Sequence, residues 1–216
     1  MTVAVDHQAR RPIVAIVDYG IGNLRSAHKA IEKVGADARL TSDIAEIERA
    51  DAVVLPGVGA FGACIRALHD SGLTAAVLGA AASGRPFLGI CVGTQMLFDA
   101  SDETPGIAGL GILPGTVTWL PPGVKRPQMQ WNRLTITERA EPTFARFDDE
   151  AWMYFVHSLH GVPDDAGDVI ATVEYGGTIN AAFRRGSIVA TQFHPEKSAR
   201  DGLALLTSFV EGIDVR

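Results

Sequence analysis

Two kinds of hydrophobic pattern divide the chain. In the first half, short uncharged runs alternate with stretches whose apolar residues recur every three or four positions. Ile13 to Asp18, Ala52 to Leu55 and Phe87 to Ile90 read as strands covered on both faces, because no polar residue alternates with the apolar ones. Leu24, Ala27, Ile31 and Val34 are spaced for one face of a helix, with Asn23 as its expected N-cap and Gly35 as its stop. Ala38 to Thr41 reads as a short strand, and Ser42 or Asp43 caps a short helix carrying Ile44 and Ile47. Helices are predicted over Ala60 to His69, Thr74 to Ala82 and Val92 to Phe98. Alternation of this kind predicts an α/β fold, a mostly parallel sheet with helices on both faces.

The second half changes character. Thr116 to Leu120, Asn132 to Thr137, Met153 to His157, Val169 to Val173, Thr178 to Phe183 and Ser187 to Gln192 read as shorter strands between Gly- and Pro-rich turns. Several of them are expected to add to the sheet as antiparallel strands. Leu203, Leu206, Val210 and Ile213 mark a last helix over about Asp201 to Ile213. The stretch holding Pro127, Met129 and Trp131 looks too loop-like for a core stripe; it is either a partner-binding patch or a loop anchored by Trp131. No repeat or low-complexity segment interrupts the chain, so residues 12–216 are read as one domain and residues 1–11 as a loose tail.

Composition narrows the function classes. The 216 residues are 47% hydrophobic and 20% charged, ordinary globular values, with a net charge of −6 and no Lys/Arg-rich run. That argues against nucleic acid or an anionic membrane as partner. Two cysteines do not make a disulfide framework, so a reducing cytoplasm is the expectation. The N-terminus lacks the apolar region of a signal peptide, and the longest uncharged apolar stretch, Leu73 to Ser83, is too short to span a bilayer.

Cys64 falls in a helical pattern and reads as core, whereas Cys91 stands where a buried strand turns into a helix. Gly89 and Gly93 flank it to give G-x-C-x-G, the thiol form of a nucleophile elbow, whose tight turn should leave no room for side chains two residues away. A thiol at a helix N-terminus is favoured as thiolate, and the N–H of Val92 is free to donate to an oxyanion. The plain alternative is a small buried Cys at a strand end; the two glycines and the residues below argue against it.

His194-Pro195-Glu196 follows the strand ending at Gln192. Pro195 biases His194 to extended backbone and should keep a helix from starting there, and Glu196, two residues on, can then reach the same side. A carboxylate holding Nδ1–H of an imidazole leaves Nε2 to face a thiol. Taken alone, the same three residues would be a solvated turn. Pro56-Gly57-Val58-Gly59 ends another predicted parallel strand, where backbone N–H groups could reach a substrate oxygen, although Pro-Gly is also ordinary turn chemistry. Gln95, one helical turn after Cys91, can face the same cleft. Gly20-x-Gly22 lacks the third glycine of a dinucleotide fingerprint, since that position is Arg25. His157 and His160 have no further residues at zinc-like spacing, and His28 and His69 read as helix-surface residues.

G-I-C-V-G-T-Q with a later H-P-E resembles the Cys-His-Glu glutamine amidotransferases. The further stretches V-D-Y-G-I-G-N-L-R-S at 17–26, L-P-G-V-G-A-F-G at 55–62, P-Q-M-Q-W-N at 127–132 and Y-F-V-H-S at 154–158 are similar to the branch that serves imidazole glycerol phosphate formation in histidine biosynthesis. The resemblance implies a flavodoxin-like sheet and a glutaminase with no cofactor and no metal. It implies Cys91 as nucleophile, His194 as general base and acid, and Glu196 as its orienter. Val92, Val58 and Gly59 would supply the oxyanion hole; Gln95, Gly57, His157 and Ser158 would lie against L-glutamine. The ammonia would pass to a cyclase subunit, a (β/α)₈ barrel forming a heterodimer over Tyr19, Gly22, Asn23, Pro127, Met129, Trp131 and Lys197. Gln130 stands where the family tends to have Gly, and Leu159 where it often has an aromatic residue. The rival readings are a glutaminase serving anthranilate, pyridoxal phosphate or nucleotide synthesis, a Cys hydrolase or chaperone with the same elbow, and a non-enzymatic relative.

Overall fold

Parallel pairing starts in the uncharged runs. The first half folds as β1 (Ile13–Val17), α1 (Leu24–Lys33), β2 (Asp37–Thr41), α2 (Ile44–Arg49), β3 (Ala52–Gly57), α3 (Phe61–Asp70), α4 (Thr74–Ala82), β4 (Phe87–Cys91) and α5 (Val92–Met96). The second half adds β5 (Phe98–Ser101), β6 (Leu113–Trp119), β7 (Gln128–Arg133), β8 (Thr135–Ile136), β9 (Trp152–His157), β10 (Leu159–Pro163), β11 (Val169–Glu174), β12 (Thr178–Arg185), β13 (Ile188–Thr191) and α6 (Ala199–Glu211). The structure is a computed structural model and describes residues 10–137, 142–147 and 150–215.

The central sheet runs β2-β1-β3-β4-β13-β12-β11-β8. From β2 to β13 every pair is parallel, and β12, β11 and β8 then extend it antiparallel. Every residue of β3 and of β4 is buried, which is why their sequences carry no alternation. Helix α1 packs beside α6, and α2 beside α4. The α/β reading and its mixed sheet are therefore borne out. Among the described residues no helix is long and apolar enough to cross a membrane.

Four local expectations change. Helix α5 stops at Met96 because the 109–112 segment takes the carbonyls that would continue it: Leu110 N donates to Met96 O and Ile112 N to Leu97 O, each at 2.8 Å. Phe98 instead opens β5 and meets Phe183 edge-on at 5.3 Å. The segment read as a loop around Met129 is β7, paired antiparallel with β9. Its pattern is inverted, with Gln128 buried and Met129 and Trp131 outside, so hydrophobicity concealed the strand. Strands β5 and β10 carry too few apolar residues to be foreseen. The tail assigned to residues 1–11 lies outside the described residues as far as residue 9; Arg10 pairs with Asp51 at 3.0 Å and Arg11 donates to Gly35 O, so these two are fastened.

Candidate active site

Strands β1, β3, β4 and β13 are parallel, so their C-terminal ends share one edge of the sheet, the edge where α/β folds build sites. Register brings the ends close: Gly57 pairs with Cys91 across β3 and β4, and Ile90 with Thr191 across β4 and β13. The loops leaving these strands carry the Tyr19–Asn23, Val58–Gly59, Cys91 and His194–Glu196 segments.

Cys91 has φ 55° and ψ −114° at the junction of β4 and α5. A non-glycine residue held there costs about 1–3 kcal/mol, stored by the surrounding packing. The flanking glycines are needed, for reasons that differ from one another. A Cβ on Gly89 would stand 3.1 Å from the Thr94 Cα across the turn. A Cβ on Gly93 would stand 2.0 Å from Leu55 O, so this position lets α5 rest on the neighbouring strand β3. Val92, as the first residue of α5, has an N–H with no intrahelical acceptor.

His194 is 2% exposed, with extended backbone. Its N–H donates to Tyr154 O at 3.1 Å and its carbonyl accepts from Ser198 Oγ at 2.6 Å, fastening this segment to β9. Pro195 does not keep helical structure away; it occupies the first position of a 3-10 turn over Pro195–Lys197, where its missing N–H costs nothing. Within that turn Glu196 Oε1 reaches His194 Nδ1 at 2.8 Å, with the Glu196 side chain only 1% exposed. Burial by itself lowers the affinity of the imidazole for a proton. Hydrogen bonds and charge from Cys91 and Glu196 outweigh it and raise the His194 pKa to about 9. A thiol and a carboxylate therefore both meet one imidazole, an arrangement able to support nucleophilic catalysis.

A cleft of about 400 Å³ opens over Cys91, bounded by Val58, Gly59, Val92, Gln95, His157, Ser158 and His194, with Pro127 and Lys197 at its edge. Val58 O accepts from the Cys64 thiol at 3.2 Å. In a trans peptide the following N–H points the opposite way, so the Gly59 N–H is turned away from that interior thiol. Burial pushes the Cys64 thiol up, keeping it a donor. Gly57 is not in the cleft wall; it packs inside, where a Cβ would meet Gly93 N at 2.5 Å.

His157 lies in the wall with both ring nitrogens engaged: in the neutral ring Nδ1–H donates to Leu159 O at 2.7 Å, and Nε2, 2.9 Å from the Gln128 side-chain amide, accepts from that amide's NH2 turned toward it. Burial lowers its pKa to about 4, and that of His160 likewise, so both are neutral near pH 7. Among the described residues no group of three or more His, Cys, Asp or Glu could hold a metal.

Two residues of the site were not singled out from the sequence. Glu103 lines the cleft and accepts from Phe61 N at the start of α3 at 2.6 Å. Gln192 is buried between Gln95, whose Nε2 donates to its Oε1 at 3.0 Å, and Cys91. The carboxyl after a small cleft helix and the polar residue closing an apolar strand were the available signals. Of the surface residues, Met129 is 63% and Trp131 45% exposed, and Pro127 and Lys197 are exposed too. Tyr19 is not a surface residue: its hydroxyl donates to Pro56 O at 2.7 Å beneath the site. Asn23 makes no cap hydrogen bond with its side chain, which instead reaches Glu196, and Gly22 is half-buried.

The chain matches the class-I glutamine amidotransferase family over residues 15–212 and belongs to that family. Curated relatives are the imidazole glycerol phosphate synthase subunits HisH. The one from Methanothermobacter thermautotrophicus is 48% identical, covering 92% of this chain and 98% of its own. That from Geobacter sulfurreducens is 46% identical over 92% and 98%. In fold, the chain superposes on the PurLQS structure from Thermotoga maritima with a TM-score of 0.75 at 19% identity, covering 94% and 100% of the two chains.

Proposed function

We infer that the chain is the glutaminase subunit of an imidazole glycerol phosphate synthase, acting in the cytoplasm in histidine biosynthesis. The observation that carries the chemistry is the convergence of Cys91, His194 and Glu196 on one edge of the sheet, with the first two in the cleft and the third holding the ring from behind.

The reaction follows from these groups. The Cys91 thiolate attacks the side-chain amide carbon of L-glutamine, forming a tetrahedral oxyanion that the N–H groups of Val92 and of the Val58–Gly59 loop can stabilise. His194, protonated in the ion pair, gives its proton to the departing nitrogen, and ammonia leaves a γ-glutamyl thioester. The neutral imidazole then takes a proton from water, which attacks the thioester and releases glutamate and the thiol. Glu196 keeps Nε2 directed at the sulfur through both steps. Glu103, as the carboxylate in the cleft wall, suits the α-amino group of the substrate, while Gln95, His157 and Ser158 shape its binding.

Ammonia is nucleophilic only while unprotonated, so it must reach a synthase without crossing solvent. A (β/α)₈-barrel cyclase docked against the outer face of β7, with Pro127, Met129 and Trp131 beside the cleft and Lys197 at its rim, would receive it. The test is glutamate release from glutamine, with and without cyclase and its substrate, by the native chain and by Cys91→Ala. Partner-dependent release that the mutant abolishes is the expected result. Release stimulated by another synthase and not by this cyclase would move the chain to a different amidotransferase branch.

A further inference from the structure

The oxygen of Glu196 that accepts from His194 is also gripped from the far side of the site. Asn23 Nδ2 donates to Glu196 Oε1 at 3.1 Å, alongside His194 Nδ1 at 2.8 Å. The other carboxylate oxygen, Oε2, is buried and has no hydrogen bond to a described residue. Two donors on one oxygen thus fix a carboxylate whose second oxygen is held by nothing else among them.

Asn23 is placed at the start of α1, where an Asn side chain ordinarily caps the helix. It makes no such bond here, so its amide serves Glu196 instead of the helix. An amide is suited to this: it donates to a carboxylate without adding charge and cannot take the imidazole proton. The loop before it reaches the opposite wall as well, since the Tyr19 hydroxyl holds Pro56 O at the root of the Val58–Gly59 loop.

We propose that Asn23 is a positioning residue of the glutaminase reaction, holding the Glu196 carboxylate so that the imidazole of His194 faces Cys91. The proposal rests on the amidotransferase reading above, and its test separates the two. Asn23→Ala and Asn23→Ser are compared in the complex with its cyclase. Serine restores helix-capping capacity but is too short to reach Glu196. Both variants should lose about tenfold in kcat for glutamate release, roughly the weight of one charge-assisted hydrogen bond, with KM within twofold. Alkylation of Cys91 by iodoacetamide at pH 7, read by mass spectrometry on the chain, should slow about as much, and Asn23→Gln should recover part of both.

Wild-type kcat and alkylation in both Ala and Ser variants would overturn the proposal. So would full recovery by Ser alone, which would make Asn23 a helix cap. If the wild-type complex releases no glutamate, the amidotransferase reading falls, while the alkylation rates still decide whether Asn23 positions the triad.

Discussion

The side-chain amide nitrogen of Gln192 stands 4.0 Å from the sulfur of Cys91, at the end of the strand next to the one that presents the thiol. Its Oε1 is taken by Gln95, so the amide is oriented with its N–H groups toward the sulfur. A neutral amide there places no negative charge beside the sulfur and does not compete for its proton. Replacing it with a carboxylate introduces both. Gln192→Glu should cut kcat/KM for glutamate release by about tenfold or more, each tenfold corresponding to about 1.4 kcal/mol. The same variant should slow the alkylation of Cys91. An unchanged alkylation rate would remove Gln192 from the site's electrostatics.

The glycines around the elbow make separable predictions. Gly93→Ala puts a methyl 2.0 Å from Leu55 O, a backbone atom that cannot swing aside. The strand and helix must part, so a loss of about 1–3 kcal/mol or more in urea unfolding is expected. Gly59→Ala meets nothing within 4 Å but forces a side chain onto φ +89°, worth about 1–2 kcal/mol. The first should damage folding and activity together; the second should leave a folded chain with weakened glutaminase, because it disturbs a loop that lines the cleft over Cys91.

These positions also mark how far the sequence could be read. The alternation of uncharged runs and helical spacing established the parallel sheet, and G-x-C-x-G with H-P-E located the elbow and the residues that meet it. What escaped had physical causes. Strand β7 buries a glutamine and exposes a methionine and a tryptophan, so its pattern misled. Asn23 looked like a cap because capping is a local property, whereas its partner lies 173 residues away in the chain. Gln192 and Glu103 act through neighbours supplied only by the register of β13 against β4 and the return of the chain after α5. The spacing of Gly93 suggests a demand of the turn, whereas the crowding atom belongs to strand β3.

The pH dependence of activity follows from His194. Its pKa is raised to about 9: burial opposes protonation, and Cys91 and Glu196 more than compensate. The imidazolium form of His194 therefore persists through neutral pH and is lost as pH rises through about 9. Because the folded value exceeds the unfolded one of about 6.5, the contribution of the protonated His194 ring to stability is complete below the latter and disappears over the same alkaline range. Glu196→Gln removes the carboxylate that holds Nδ1 of the ring. Glutamate release by this variant, followed from pH 6 to 10, should fall with its alkaline limb at lower pH than wild type. A limb that stays in place would mean that Glu196 does not set the proton affinity of the ring.

His157 and His160 act in the opposite direction. Burial lowers both to about 4, below the unfolded value of about 6.5. The unfolded chain thus binds protons that the folded chain refuses, and stability present above pH 6.5 is lost as pH falls toward 4. Urea midpoints measured from pH 7 to pH 4 should decline, and the decline should be shallower in His160→Gln, which keeps a polar side chain near Asn180 but cannot titrate. His157 offers a less clean test, since its ring also spans Leu159 O and the Gln128 amide.

Cys64 provides the last prediction, because its thiol reaches the cleft loop through the Val58 carbonyl. Its S–H donates to Val58 O at 3.2 Å, so it holds the carbonyl of the Val58–Gly59 peptide toward the interior. Cys64 is fully buried, so Cys64→Ala leaves a small void and removes the donor at once. The cost to stability should be about 1–2 kcal/mol, close to that of one hydrogen bond. If the Gly59 N–H serves the oxyanion as proposed, the cost to activity should appear in kcat, by several-fold, while glutamine binding elsewhere in the cleft is untouched. Cys64→Ser restores a donor of shorter reach and should recover kcat in part. Kinetics in which Ala and Ser variants both match wild type would show that the loop holds its orientation without this thiol.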